Sequence, residues 1–213
     1  MDSINLWLFM GMTAGATPPP WLLPPARALA VYGPWACMAV LGWIAWRRPH
    51  QRGHLVALLA MAGVTSMFSH AIADALGVQR PFALGLAPAH IPHGASAALP
   101  STHAAVMGLA ALGLAWQREL RRPACMAALV ALLTGWARIY VGVHTPLDIA
   151  AGFGLSCAAM ALLLGLQWVA RHGVVPAFVR IQRGEDSGRW KAPVCGSAEA
   201  PFGTEGARVT GSV

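Results

Sequence analysis

The sequence predicts an all-α fold, a polytopic transmembrane helical bundle of five to six spans, and three observations carry that expectation. Hydrophobic residues make up 56% of the 213-residue chain and charged residues only 11%, against roughly 25% charged in a soluble globular domain. Apolar stretches of about 20 residues, the length that crosses a hydrocarbon core of roughly 30 Å as helix, recur between residues 26 and 170. Basic residues gather in alternate connections between those stretches, the pattern that marks the cytoplasmic face of membrane proteins.

The elements follow in order. Residues 4–12 are apolar and precede Ala14-Gly15-Ala16, which imitates the end of a signal peptide without the basic leader such a peptide carries. The expectation is a retained interfacial or partly inserted helix, closed by Pro18, Pro19, Pro20, Pro24 and Pro25, so that 1–25 forms an N-terminal segment. Five spans are expected at about 26–46, 54–76, 101–116, 123–143 and 146–170, giving a membrane domain over 26–171. From 172 to 213 the chain turns polar and Gly-rich, which predicts a mobile cytoplasmic tail whose basic residues attract anionic lipid without specificity.

The formal charge of +7 and pI near 10.3 would suit a nucleic-acid binder, but the positions of the charges favour membrane orientation. Arg47, Arg48 and Arg52 lie between the first two spans, Arg118, Arg121 and Arg122 between the third and fourth, and Arg171, Arg180, Arg183, Arg189, Lys191 and Arg208 after the last. That side is expected to be cytoplasmic. Only Arg27, Arg80 and Arg138 fall on the outer side. Cys37, Cys125, Cys157 and Cys195 show no close spacing, and three of them sit in apolar helices, so neither a disulfide frame nor a zinc site is expected.

The outer face collects the residues with chemistry: Arg80-Pro81 beyond the second span, Pro100-Ser101-Thr102-His103 opening the third, Arg138 closing the fourth, and His144 and Asp148 opening the fifth. Helix starts near Ser101 and Pro146 would expose N–H groups and partial positive charge to an anion. Two guanidinium forks suit phosphate oxygens. With Asp148 four residues on, a ring nitrogen of His144 can be held by the carboxylate while the other attacks phosphorus. His103 can protonate the departing oxygen and later activate water. Arg80, Arg138 and donors around Ser101 would stabilise equatorial charge, and the scheme needs no metal and no cofactor.

These three ordered motifs resemble the type 2 phosphatidic acid phosphatases, which share a helical core with vanadium haloperoxidases. The family pattern is Lys, six residues, Arg-Pro; Pro-Ser-Gly-His; and Ser-Arg, five residues, His, three residues, Asp. Here it reads Arg80-Pro81, Pro100-Ser101-Thr102-His103, and Ala137-Arg138 with His144 and Asp148 at the family spacing, across about 54–170. The chain is similar above all to the bacterial undecaprenyl-diphosphate phosphatase branch, through Asn5-Leu6-Trp7-Leu8-Phe9, His93-Gly94-Ala95 and the string from Arg138 to Asp148. The resemblance implies hydrolysis of undecaprenyl diphosphate to the monophosphate through a phosphohistidine on His144, with His103 as acid and base and Asp148 orienting His144. It implies Arg80, Ser101, Thr102 and Arg138 as substrate contacts, a multi-pass protein of the bacterial inner membrane, and a site facing the periplasm or outside. A polyprenyl or glycerolipid phosphate would be the substrate, membrane lipids the other partners, and nucleic acid none.

Departures from the pattern qualify that implication. Ala73 stands where the family has Lys, Thr102 replaces Gly, and Ala137 replaces Ser. His70 and His93 are accessory candidates, His70 as a stand-in for the missing cation. Against this, His70 and Asp74 could satisfy each other or Arg80, His90 and His93 could be plain loop residues, Arg138 could snorkel to the interface, and Thr145-Pro146-Asp148 could serve as a helix cap alone. Other lipid phosphates such as phosphatidic acid or phosphatidylglycerol phosphate, a phosphotransferase, and a non-enzymatic lipid-binding or translocating relative are the alternative functions.

Overall fold

The computed structural model describes residues 3–174 and contains six α-helices: α1 (Ser3–Met12), α2 (Leu23–Arg47), α3 (Arg52–Leu76), α4 (Thr102–Trp116), α5 (Arg121–Tyr140) and α6 (Pro146–Val169). No strand occurs among the described residues. The tail expected to be mobile lies, from residue 175 on, outside them, as does Cys195.

Four helical stretches are long and apolar enough to cross a membrane, Leu23–Arg47, Pro49–Leu76, Arg118–Tyr140 and Pro146–His172. The expected span at 101–116 is shorter. Its 15 residues rise only about 22 Å as helix, less than the roughly 30 Å hydrocarbon core. What α4 lacks in length it compensates in burial: Ala105, Leu109 and Leu114 are fully enclosed, and short apolar side chains let α3 and α5 close around it. Ten-residue α1 is also too short to cross.

Proline placement differs from the expected breaks. Pro24 and Pro25 do not end a preceding segment; they occupy the first turn of α2, where the missing N–H costs nothing and the fixed φ suits the helix. Pro34 lies inside the same helix.

Core and lipid faces separate cleanly. Leu41, Ile44, Leu58, Met107, Leu109, Leu114 and Leu163 join in one buried cluster. Large apolar side chains such as Trp35, Met67, Phe68 and Leu162 remain exposed on the outside of the bundle, as expected of a surface solvated by hydrocarbon. Cys37 is buried while Cys125 and Cys157 are exposed, all three as free thiols. Trp21, Trp46 and Trp116 lie exposed at or beside helix ends, where an aromatic belt sits.

The two ends of the bundle are chemically unlike. At one end, the α2–α3 corner meets the α4–α5 corner through Glu119, which accepts hydrogen bonds from Arg48 at 3.1 Å and His50 at 3.0 Å. Arg47, Arg52, Arg118, Arg121 and Arg122 share that end. The other end gathers the 77–101 connection, the 141–145 turn and the segment after α1. Backbone bonds from Ala14 to Tyr140, His90 to Val141, and Ser101 to Asp148 tie these pieces together. Two glycines permit the closeness: a Cβ on Gly152 would strike the Ser101 carbonyl and Ala104, and Gly142, at φ +81°, would strike the Pro88 carbonyl.

Candidate active site

A cavity of about 150 Å³ opens at the end opposite Glu119, lined by His70, Ala73, Asp74, Arg80, His93, Ser96, Ala97, Pro100, Thr102, His103, Arg138 and His144. Two separate connections, 77–101 and 141–145, and helices α3, α4 and α5 contribute to it, which is why no one stretch of sequence contains the site.

His144 sits in the turn between α5 and α6, almost wholly buried. Its Nδ1 lies 3.4 Å from Asp148 Oδ2 and its Nε2 lies 3.2 Å from Arg80 Nη1. Arginine can only donate, so Nε2 is the accepting, unprotonated nitrogen and Nδ1 carries the proton toward Asp148. Burial pushes the His144 imidazole down from its ordinary range, the bond to Asp148 opposes this, and Arg138 and Arg80 reinforce it. A neutral ring with its lone pair toward the cavity is the form that attacks phosphorus.

The expected cap at Asp148 is real and compatible with that role. Asp148 Oδ2 accepts the Thr145 N–H at 2.7 Å, and Thr145 Oγ1 accepts the Asp148 N–H at 3.3 Å. Pro146 has no N–H, and the Leu147 N–H goes to Asn5 Oδ1 at 3.1 Å. The start of α6 therefore has no spare donor for an anion, contrary to the expectation drawn from its helix start. The start of α4 is different: no side chain caps its first turn, and its first two residues, Thr102 and His103, line the cavity. Of the two expected anion-receiving helix starts, α4 keeps that capacity.

Arg80 is buried and fixed from every side. Its Nε donates to the Ser96 carbonyl at 2.8 Å, Nη2 to the Ala97 carbonyl and Ser96 Oγ, and Nη1 to the Val143 carbonyl. Arg138 is likewise buried and does not snorkel. Its Nη1 donates to the Ala30 carbonyl at 3.1 Å and Nη2 to His93 Nε2 at 3.0 Å, while its Nε has no partner. That N–H is buried and unpaired.

The remaining expected residues divide. His103 lines the cavity. Thr102 does too, but its hydroxyl is shared with Ser69 Oγ at 2.8 Å. Ser101 is fully buried, donates its N–H to the Asp148 carbonyl, and does not line the cavity. His93 stands edge-on to His144 with ring centres 6.4 Å apart; burial, partly offset by its bond to the Gly94 carbonyl, pushes it toward the neutral form, with Arg80 and Arg138 adding to the effect. His70 and Asp74 are exposed at the cavity wall, and among the described residues no hydrogen bond or ion pair joins them to each other or to Arg80. His90 donates to or accepts from nothing in the cavity; its Nε2 bonds the Gly15 carbonyl at 2.8 Å. Residues absent from the sequence reading are Ser69, Ser96, Ala30 and Asn5's bond to α6. No motif signals them, because each acts through a contact distant in sequence.

No group of three or more metal-ligating side chains occurs among the described residues. Two buried guanidinium groups, an open helix start and a carboxylate-held histidine facing one small cavity form a place for a tetrahedral oxyanion.

Comparisons with known proteins speak to the family and the fold. The model of the PAP2 superfamily matches residues 53–172. The chain is 31% identical over 156 residues to YbjG of Escherichia coli (strain K12), whose name provisionally assigns it as an undecaprenyl-diphosphatase, covering 71% of this chain and 77% of that one. It is 31% identical over 100 residues to the undecaprenyl-diphosphatase BcrC of Bacillus subtilis (strain 168), covering 47% and 48%. Among solved structures, LpxE of Aquifex aeolicus has a TM-score of 0.63 at 22% identity, covering 77% of this chain and 96% of that one. A PAP2 type phosphatidylglycerolphosphate phosphatase of Bacillus subtilis has a TM-score of 0.60 at 19% identity, covering 80% and 88%. At those identities the two structures speak to the fold.

Proposed function

The chain belongs to the PAP2 superfamily, and from that premise we propose that it hydrolyses undecaprenyl diphosphate to undecaprenyl phosphate through a phosphohistidine on His144. Membership makes it a lipid phosphate phosphatase and an integral membrane protein. The undecaprenyl substrate is supported by the names of the two sequence relatives.

The single observation that carries the mechanism is the orientation of His144, with Nδ1 on Asp148 and Nε2 toward the cavity beside Arg80. In the proposed reaction the terminal phosphate lies among Arg80, Arg138 and the first N–H groups of α4, and the Arg80 Nη1 N–H that holds His144 Nε2 turns to a phosphate oxygen, which frees the ring lone pair. His144 Nε2 attacks phosphorus as the bond to the bridging oxygen breaks, and His103, protonated once the anionic phosphate is bound beside it, gives its proton to that oxygen. Undecaprenyl phosphate leaves. His103 then takes a proton from water, the resulting hydroxide character attacks phosphorus, the P–N bond breaks, and inorganic phosphate departs. Asp148 stabilises the positive ring formed in the first step. The two arginines neutralise charge that builds on the equatorial oxygens.

The protein is proposed to sit in the bacterial inner membrane with this cavity toward the periplasm. The basic residues at the opposite end of the bundle support that orientation. Phosphate release from purified protein, compared across undecaprenyl diphosphate, phosphatidic acid and phosphatidylglycerol phosphate, tests the substrate. The proposal requires kcat/KM for undecaprenyl diphosphate to exceed the others by at least about tenfold, a difference of roughly 1.4 kcal/mol in transition-state binding. Equal or reversed preference would reject it.

A further inference from the structure

A proline inside an α-helix removes one N–H and leaves the carbonyl four residues earlier without its helical donor. In α2 that proline is Pro34 and that carbonyl belongs to Ala30. Ala30 is fully buried, so water cannot take the vacant acceptor, and an unsatisfied buried carbonyl is costly. The donor that reaches it comes from 108 residues away: Arg138 Nη1, at 3.1 Å.

Several features make this a built contact. Gly33, beside the proline, is buried at the α2–α5 crossing, where any Cβ would overlap Thr134. Thr134 is on α5 one turn before Arg138, so the close approach of the backbones brings the guanidinium to the α2 carbonyl. Arg138 itself is buried and has no carboxylate partner among the described residues. Its fixed contacts are Ala30 through Nη1 and His93 through Nη2, and the residue lines the cavity.

We propose that Pro34 is a positioning residue for the phosphate site: by withholding its own N–H it reserves the Ala30 carbonyl for Arg138, and so fixes which edge of the guanidinium faces the substrate. The inference rests on the reading of Arg138 as a phosphate ligand. It explains why a helix-breaking residue occupies the middle of a membrane-spanning helix, one turn from the carbonyl that Arg138 reaches. It also gives Pro34 a signature that ordinary packing residues lack. Restoring an N–H at position 34 lets the helix reclaim Ala30, which favours the helix and loosens Arg138.

The test is the pair Pro34→Ala and Pro34→Val, two side chains that share only the restored N–H, assayed in the full-length purified protein with undecaprenyl diphosphate. Both are expected to raise KM at least about threefold while the thermal unfolding midpoint stays level or rises. In an Arg138→Ala background, where no guanidinium remains to be released, the same substitutions should leave KM unchanged, since coupling requires both partners. Unchanged KM in both single variants overturns the proposal, and so does a raised KM accompanied by a lowered midpoint, which would mark a packing defect. An additive effect in the Arg138→Ala background overturns it as well. Arg138→Ala alone separates the two levels of the argument: if it leaves KM at the wild-type value, the phosphate-ligand reading fails; if it raises KM and the Pro34 variants do not, only the inference about Pro34 fails.

Discussion

Arg80 Nη1 donates to His144 Nε2 across 3.2 Å, so one proposed phosphate ligand holds the lone pair of the proposed nucleophile. The same guanidinium also serves three backbone carbonyls, those of Ser96, Ala97 and Val143. It is at once a charge in the site and the pin that joins the 77–101 connection to the turn carrying His144.

Arg80→Lys should therefore fail on both counts. One ammonium cannot satisfy three divergent carbonyls and a histidine, and leaving buried acceptors unmet costs about 1–3 kcal/mol each. Thermal unfolding should move down by at least several degrees, and phosphate release should fall at least about tenfold. A variant with normal unfolding and normal turnover would show that the pin is dispensable.

Asp148 separates structure from catalysis. Asp148→Asn keeps an oxygen for the Thr145 N–H and hence most of the cap, but removes the charge that supports the His144 ring. Turnover should fall about a hundredfold or more with little change in unfolding temperature. Asp148→Ala should add a stability loss of about 1 kcal/mol from the missing cap. Comparing the two variants by turnover and thermal unfolding checks the division.

Asn5 offers a purely structural counterpart. It closes the first turn of α6 through the Leu147 N–H, so Asn5→Leu, similar in size but without the acceptor, should cost about 1 kcal/mol. Asn5→Asp keeps an acceptor at a helix N-terminus, where negative charge is favoured, and should recover most of that loss in the same unfolding measurement.

The pH dependence has a definite sign. Burial holds His144 below the ordinary imidazole range, about 6.5 in model peptides. A lowered value keeps the ring neutral and nucleophilic at neutral and mildly acid pH. After correction for ionisation of the substrate and of the general acid His103, kcat/KM should show no loss as pH falls through 6.5 and should decline only at more acid pH, as His144 takes a proton. An acid limb centred at or above 6.5 would contradict this assignment.

Much of the site was legible because its motifs are local. His144 and Asp148 are one helical turn apart, and Arg80-Pro81 and the run from Pro100 to His103 are contiguous, so spacing alone proposes their chemistry. The alternation of arginines predicted that the α2–α3 and α4–α5 corners share an end, and Glu119 joins them there. The sequence could not reveal which donors had already been used. Asn5 takes the Leu147 N–H from 142 residues away, and this is what removes the expected anion site at the start of α6. Arg138 offered the same difficulty: snorkelling is the alternative to a substrate contact, and the bond from its Nη1 to the Ala30 carbonyl joins residues 108 positions apart. The bounds of α4 are legible at 101–116, but its enclosure by the other helices is not, because a buried apolar helix and a spanning one have the same composition over 15 residues. Ala73 still stands at the cavity wall with His70 and Asp74 beside it, so the positive charge fixed within the cavity comes from Arg80 and Arg138.

The central claim is the covalent role of His144, and trapping the phosphoenzyme tests it most directly. Purified protein mixed briefly with undecaprenyl diphosphate labelled in its terminal phosphate, then quenched in base, should carry an acid-labile label on the peptide containing His144. His144→Ala should carry none and should lose phosphate release by about a thousandfold or more. A label on another residue, or turnover by His144→Ala near the wild-type rate, would contradict the account.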